Sequence, residues 1–253
     1  MTDIEPTAFL DTELLRHAAE VIAGADYLVA FTGAGISVES GIPSFRGENG
    51  LWHRYDPQVL EIGYFLRNPE DAWPVIKEIF YDNFGSAEPN VAHKTLAYWE
   101  EIGLLKALIT QNIDDLHYRA GNREPIEYHG NSRKLVCIQT GARYDATPER
   151  LSHLPPVSDA GALLKPDFVF FGEGIPREAA QQAEHAARTA DVLLIIGTTG
   201  EVYPAAALPQ MAAQNRATII EINPERSLYT GEITDIFIQA PAGQAMQKLS
   251  SYI

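Results

Sequence analysis

Polar and small residues stand at the ends of several apolar runs, where side chains can act on a ligand. Thr32-Gly33-Ala34-Gly35-Ile36-Ser37 follows the run Tyr27 to Phe31. Its two glycines let the backbone turn sharply and bring N–H groups toward an anionic ligand at a helix start. A dinucleotide fingerprint G-x-G-x-x-G would place a third glycine where this chain has Val38, so a tight strand-to-helix turn without a ligand is an equal reading. Gln111, Asn112 and Asp114 follow the run Leu105 to Thr110. The amides both donate and accept, and the carboxylate accepts. Gly197-Thr198-Thr199 follows Val192 to Ile196, and Asn223 follows Thr218 to Ile222. His129, just before Gly130, is the base candidate, because a neutral imidazole takes a hydroxyl proton near physiological pH. Taken alone, it also fits an ordinary turn residue, and Asn112 and Asn223 also fit a strand-end cap and a turn before Pro224.

Positioning these residues requires regular elements, and the periodicity supplies them. An amphipathic stretch, Thr12 to Ala23, leads into the first apolar run. A helical region of roughly fifty residues follows, with Trp73, Ile76, Ile79 and Phe80 at helical spacing as candidate core, before the run at Leu105. Asn131 to Leu164 is different in character: Pro155 adjoins Pro156, and Gly141 and Gly161 break any long period, so it reads as a small insert. Apolar runs resume at Phe168 to Phe171, Val192 to Ile196 and Thr218 to Ile222, with a helix-forming stretch from Arg177 to Thr189. Continuous apolar strands alternating with helices predict an α/β, doubly wound parallel sheet of Rossmann-like type with a small inserted domain, and ligands at the carboxyl ends of the strands.

Composition bounds the function. The chain has 253 residues, 45% hydrophobic, with 19 Lys+Arg against 34 Asp+Glu for a net charge of −15. That acid excess argues against nucleic acid as partner and favours basic peptides. A single cysteine, Cys137, excludes an intramolecular disulfide and an all-cysteine zinc site within the chain. Asp3 and Glu5 stand where a signal peptide needs basic residues and an apolar run, and no run of membrane-spanning length follows, so the expectation is a cytoplasmic protein with no membrane partner. The sequence assigns no oligomeric state.

The run Gly33-Ala34-Gly35-Ile36-Ser37-Val38-Glu39-Ser40-Gly41-Ile42-Pro43-Ser44-Phe45-Arg46-Gly47 closely resembles the signature of the sirtuin family of NAD-dependent protein deacylases. Further matches follow in family order: Thr110 to Asp114 with Leu116-His117, His129-Gly130, Lys165-Pro166, Phe171-Gly172-Glu173, Gly197-Thr198-Thr199, Val202 to Ala206, and Ile222-Asn223. The resemblance implies cleavage of NAD at the nicotinamide bond and capture of the ribose carbon by the acyl oxygen of a modified lysine. Lysine, nicotinamide and an O-acyl-ADP-ribose are released. It casts His129 as the base, with Asn112 beside it in catalysis, and Asp114 as the contact to the carboxamide. Gly33, Ala34, Gly35, Ile42, Gln111, Asn112, Gly197, Thr198, Thr199 and Asn223 would bind the cofactor. Phe45 and Arg46 would belong to a mobile loop in which the ring screens the ribose and the guanidinium reaches phosphate or ribose. Val169 with Phe171, Gly172 and Glu173, and Glu201, Val202 and Tyr203, would form two edges between which an acyl-lysine peptide adds as a strand. His117 is read as structural. The implied division is residues 1–50, 90–130 and 165–253 in the NAD-binding domain, 51–89 as a helical part of the small domain and 131–164 as its insert.

Several positions depart from the family pattern. Most sirtuins hold one structural zinc with four cysteines in two C-x-x-C pairs; here only Cys137 is present, with Thr140, Val157 and Ala160 at the other places. One thiolate does not make that site, so no zinc and no other metal is expected, and packing by Tyr144, Leu151, Leu154 and Leu163 would hold the insert. Ser44 stands where most relatives carry aspartate, and Thr199 where serine is usual. Relatives that prefer acidic acyl groups carry a tyrosine and an arginine where this chain has Ile76 and Ile79, which favours acetyl and longer apolar chains unless Lys77 points inward. Mono-ADP-ribosyl transfer or NAD hydrolysis would use the same cofactor site with another nucleophile. A non-catalytic NAD-binding interaction module predicts a broken site, whereas His129, Asn112, Asp114 and Arg46 are all present.

Overall fold

A computed structural model describes residues 11–44, 50–84 and 87–253; Phe45 and Arg46 lie outside them. Helix α1 (Thr12–Ala23) starts where the Asp11 carboxylate accepts from the amides of Glu13 and Leu14, and buries Leu15, Ala18, Ala19 and Ile22 along one stripe. β1 (Leu28–Thr32) follows, wholly buried. Then come α2 (Ile62–Arg67), α3 (Pro69–Lys77), α4 (Val91–Glu101), β2 (Leu105–Thr110), α5 (Leu116–Ala120), β3 (Ile126–Glu127), β4 (Gly130–Cys137) and β5 (Arg143–Asp145). The chain closes with β6 (Leu164–Phe168), α6 (Arg177–Thr189), β7 (Val192–Ile196), α7 (Ala207–Gln214), β8 (Thr218–Asn223), β9 (Ile236–Gln239) and α8 (Ala242–Ser250).

Six strands form one parallel sheet in the order β3-β2-β1-β7-β8-β9. Its faces alternate residue by residue. Leu28 and Ala30 of β1, Leu194 and Ile196 of β7 and Ile220 and Ile222 of β8 join the core with α1, α4 and α8. Val29, Phe31, Leu193, Ile195 and Ile219 point the other way, into the core beneath α6 and α7. Burial on both faces is why these strands read as unbroken apolar runs.

A second unit carries its own core. The three strands β5-β4-β6 pair antiparallel, and Trp73, Ile76, Ile79 and Phe80 pack with Leu135, Leu164, Phe168 and Phe170. Trp73 is fully buried, donates Nε1–H to the Leu164 carbonyl at 3.0 Å and meets Phe65 edge-on.

The structure corrects three expectations. Phe168 to Phe171 is not a strand of the parallel sheet: β6 ends at Phe168 and pairs with β4, which it reaches without a crossover helix, and the run is apolar because Phe168 and Phe170 face the second core. The long helical region is interrupted by 3₁₀ turns at Leu51–His53 and Pro57–Leu60 and by a π-helical segment at Glu78–Asn83. Between α2 and α3, Asn68 leaves the helical conformation (φ −133°, ψ 53°), as the ring of Pro69 requires. Leu154, expected in the packing of the insert, is exposed, whereas Leu151 is buried and Tyr144 and Leu163 are partly so.

Trp73→Ala should lower the unfolding free energy by about 3–5 kcal/mol, read from the urea midpoint at constant m. A loss under about 1 kcal/mol would remove Trp73 as the anchor of the second core.

Candidate active site

The chain enters the parallel sheet at its centre, builds outward through β2 to β3, and then returns to β7 on the other side of β1. The carboxyl ends of β1 and β7 therefore flank a reversal of strand order, where an open α/β sheet forms a crevice. The turns leaving these two strands interlock. A Cβ on Gly35 would lie 2.6 Å from Gly197 Cα, and one on Gly33 would lie 2.7 Å from the Gly197 carbonyl oxygen. Gly197 itself has φ +66°, and a Cβ there would strike the Ile36 amide. The amides of Gly33 and Gly35 donate to the carbonyls of Ile196 (3.0 Å) and Gly197 (2.8 Å). The sequence suggested these N–H groups for an anionic ligand; the structure uses both to join the turns, so the glycines supply close approach.

Around this junction a hydrogen-bonded set draws together residues far apart in sequence. Asn112, buried, donates Nδ2–H to the Gly33 carbonyl (3.1 Å) and to Ser37 Oγ (3.3 Å), and Ser37 Oγ–H donates to Asp114 Oδ2 at 2.6 Å. Asp114 Oδ1 accepts the Leu116 amide at 3.0 Å. Gln111 donates to Thr198 Oγ1 (3.2 Å), and Asn223 to the Thr198 carbonyl (2.8 Å). Thr199 lies exposed, its carbonyl accepting the Leu228 amide; Ile42 is buried in the second core, and Ala34 is half-buried on the turn.

His129 Nδ1 lies 3.0 Å from the Gln111 carbonyl oxygen. A carbonyl only accepts, so the bond places the proton on Nδ1 and leaves the Nε2 lone pair as the basic site. Burial pushes the His129 pKa below its ordinary value, opposed in part by that carbonyl. Burial raises the Asp114 carboxyl, while the Ser37 hydroxyl and the Leu116 amide favour its charged form. Expected site residues thus meet here: Gly33, Gly35, Gln111, Asn112, Asp114, His129, Gly197, Thr198 and Asn223.

Sequence reasoning missed two groups in this set. Ser37 sat inside the glycine run without a role, although a hydroxyl in that turn faces the same side as the strand ends. His93, in the first turn of α4, carried no signal beyond being a histidine. Its ring lies 4.8 Å from that of His117, which accordingly has a structural setting; Thr32 Oγ1 is 2.9 Å from His117 Nε2. Burial pushes His93 down to about 4 and His117 well below the ordinary range, so both are neutral.

The proposed peptide edges are more partly engaged than the sequence suggested. Val169 donates its amide to the His129 carbonyl (2.8 Å), and Phe171 spends both peptide groups on one neighbouring segment, its amide with the Leu60 carbonyl and its carbonyl with the Ile62 amide. An added strand must therefore find partners in other peptide groups, such as Gly172. Glu173 folds back to accept the Phe170 amide (2.8 Å) and the Lys165 ammonium (3.0 Å), which fixes the turn. Phe171 and Tyr203 remain exposed, Glu201 is exposed as well, and Val202 is half-buried. Lys77 pairs outward with Asp82 at 2.6 Å, leaving Ile76 and Ile79 as fully buried apolar side chains.

A model of the Sir2 family matches residues 33–204. The chain is 45% identical to the NAD-dependent protein deacylase of Thermococcus kodakarensis, across 93% of this chain and 94% of that one. It is 40% identical to NAD-dependent protein deacylase 1 of Archaeoglobus fulgidus, across 96% and 98%. Among solved structures, a complex of a Sir2 homologue with NAD matches at TM-score 0.85 and 39% identity over 96% of this chain and 93% of that one. A complex of Sir2 with a p53 peptide and NAD+ matches at TM-score 0.87 and 32% identity over 94% and 97%. With the signature glycines, the strand-order reversal and the His129–Gln111 pairing now in one crevice, the chain belongs to the Sir2 family.

Proposed function

We propose that this protein is an NAD-dependent protein lysine deacylase that converts acyl-lysine, NAD and water to lysine, nicotinamide and O-acyl-ADP-ribose. One observation carries the reading: the His129 Nδ1–H bond to the Gln111 carbonyl, which leaves Nε2 as the base and ties the imidazole to the segment that carries Asn112 and Asp114. The donor set suits the cofactor. Amides of Gln111, Asn112 and Asn223 and hydroxyls of Thr198 and Thr199 match ribose hydroxyls, and the Asp114 carboxylate matches a carboxamide N–H. Bound NAD would supply the nicotinamide leaving group and the electrophilic ribose carbon. With NAD bound, His129 Nε2 would take the proton of a ribose hydroxyl, Asn112 would orient that sugar and Asp114 would hold the carboxamide; the family resemblance gives the cover to Phe45 and Arg46, which lie outside the described residues.

The peptide reading rests on Gly172, Glu173 and Glu201 to Tyr203. With a net charge of −15, the chain favours acyl-lysines in basic surroundings over nucleic acid or anionic membrane. Among the described residues no helix is long and apolar enough to cross a membrane. A cytoplasmic setting fits the single thiol, Cys137, which is buried. Ile76 and Ile79 favour acetyl and longer apolar acyl groups. We infer the domain division given above, with residues 131–164 and 51–89 sharing one core.

We also infer that the small unit folds without zinc. Cys137 packs in the second core as an apolar side chain. The stretch that follows is held by other means: Val157 bridges Leu163, Ser158 takes and gives hydrogen bonds with Ala162, and Arg150 stacks 4.7 Å over Tyr144.

Mass spectrometry of the purified protein with NAD and acetyl-, myristoyl- and succinyl-lysine forms of one basic peptide should show acetyl and myristoyl loss matched by O-acyl-ADP-ribose. His129→Ala should reduce that loss at least about a hundredfold. Nicotinamide release without acyl loss would move the protein to ADP-ribosyl transfer or NAD hydrolysis. Because the His129 pKa is lowered, the base stays neutral as pH falls through its ordinary value of about 6.5. The acid limb of kcat/KM should accordingly lie below that point, and a limb above it would count against this base. Prolonged chelation should leave the melting temperature within about 1 °C, whereas a structural metal would make the loss large.

A further inference from the structure

The turn that presents Asp114 is built on an unfavoured conformation. Asp115 has φ 67° and ψ 4°, in the left-handed region that costs a side chain with a Cβ, although aspartate tolerates it better than most. It stands at the start of α5, yet its carboxylate does not cap that helix; Asp114 takes the Leu116 amide instead. The left-handed residue turns the two neighbouring carboxylates apart. Asp114 faces inward to Ser37, and Asp115 faces Arg133.

Arg133, on β4, joins two walls of the crevice. Its Nη1 donates to Asp115 Oδ1, and the same guanidinium grips Glu127 with both arms, Nη1 to Oε1 at 2.7 Å and Nη2 to Oε2 at 2.9 Å. Asn131 donates to Glu127 Oε2 at 3.0 Å, and the Tyr118 ring lies 5.0 Å beneath the guanidinium. Glu127 is two residues before His129, and Asp115 is one after Asp114. Next to the fork, Ser132 donates both its amide (3.1 Å) and its hydroxyl (2.7 Å) to the Ile113 carbonyl. All three ionic side chains are well shielded, at 30%, 18% and 20% exposure for Arg133, Asp115 and Glu127, so water screens them less than a surface pair. A planar fork can bridge two carboxylates in fixed geometry, which a lysine ammonium does not.

We propose that Arg133 is a positioning residue: forked between Asp115 and Glu127, it holds the left-handed turn at Asp115 and with it the inward aim of Asp114 at the nicotinamide end of the cofactor site. It acts through its neighbours and touches no reacting atom. The inference rests on the NAD-dependent reading above.

Titration calorimetry separates the two. The ligands are carba-NAD, whose ribose–nicotinamide bond does not cleave, with the acetyl-lysine peptide present, and ADP-ribose, which lacks the nicotinamide. Arg133→Met should weaken carba-NAD about tenfold while ADP-ribose stays within about twofold, because a small misplacement at one end of a site is felt there. Adding Asp115→Gly should restore carba-NAD to within about threefold of wild type, since glycine adopts φ > 0 without an ion pair and relieves the carboxylate left unpaired. Arg133→Lys should show a smaller loss, again confined to carba-NAD, and carries the test alone if Arg133→Met does not fold. Unchanged carba-NAD affinity, equal loss on both ligands, or no rescue by Asp115→Gly would overturn the role of Arg133. Wild type that binds neither ligand would instead overturn the functional reading.

Discussion

Everything at the carboxyl edge of the sheet depends on how closely two turns can approach. Between Gly33-Ala34-Gly35 and Gly197 there is no room for a β-carbon on any of the three glycines, and paired amide–carbonyl bonds hold the contact. Close approach brings Thr198 within reach of Gln111 and Asn223, and puts the Gly33 carbonyl where Asn112 can donate to it. Wider side chains would separate β1 from β7 at their ends, and the polar set would lose its common neighbour. The glycines thus act on the chemistry at one remove, through the spacing of strands whose centres are held by the two apolar faces.

Much of this was legible in the sequence because the central strands are buried on both sides. β1, β7 and β8 announce themselves as apolar runs, and α1 and α6 match the periodic stretches Thr12 to Ala23 and Arg177 to Thr189. The two outermost strands were not legible: β3 has two residues and β9 four, too short for a period to register. Phe168 to Phe171 misled because an apolar run records burial and not the partner that provides it. At the site, His129, Asn112, Asp114 and the glycines could be named from the family signature. Ser37, His93 and the Arg133 fork could not, since their roles arise from contacts spanning 77, 24 and 18 residues: Ser37 with Asp114, His93 with His117, and Arg133 with Asp115.

The second core shows how a small unit is held by ordinary forces. Trp73, Phe65, Phe80, Phe168 and Phe170 form a chain of ring contacts 5.0 to 6.3 Å apart, and Cys137 lies among apolar neighbours. Large rings bury much apolar area for few ordered side chains, which offsets the entropy of fixing a loop-rich segment. Because β6 runs straight from this core toward Val169, and Val169 pairs with His129, the same packing also fixes the strand end beside the candidate base.

The His93–His117 pair gives the crevice a further property. An unfolded chain protonates both rings near pH 6.5, but the folded one refuses those protons, His93 until about 4 and His117 until well below the ordinary range. The stability that their neutrality contributes is whole above pH 6.5 and is drained as pH falls toward the folded values, at about 1.4 kcal/mol per histidine per pH unit in the ideal limit. Asp114, raised by burial, works the opposite way. Acidification thus works on the interior behind the cofactor crevice, at the joint between β1, α4 and α5.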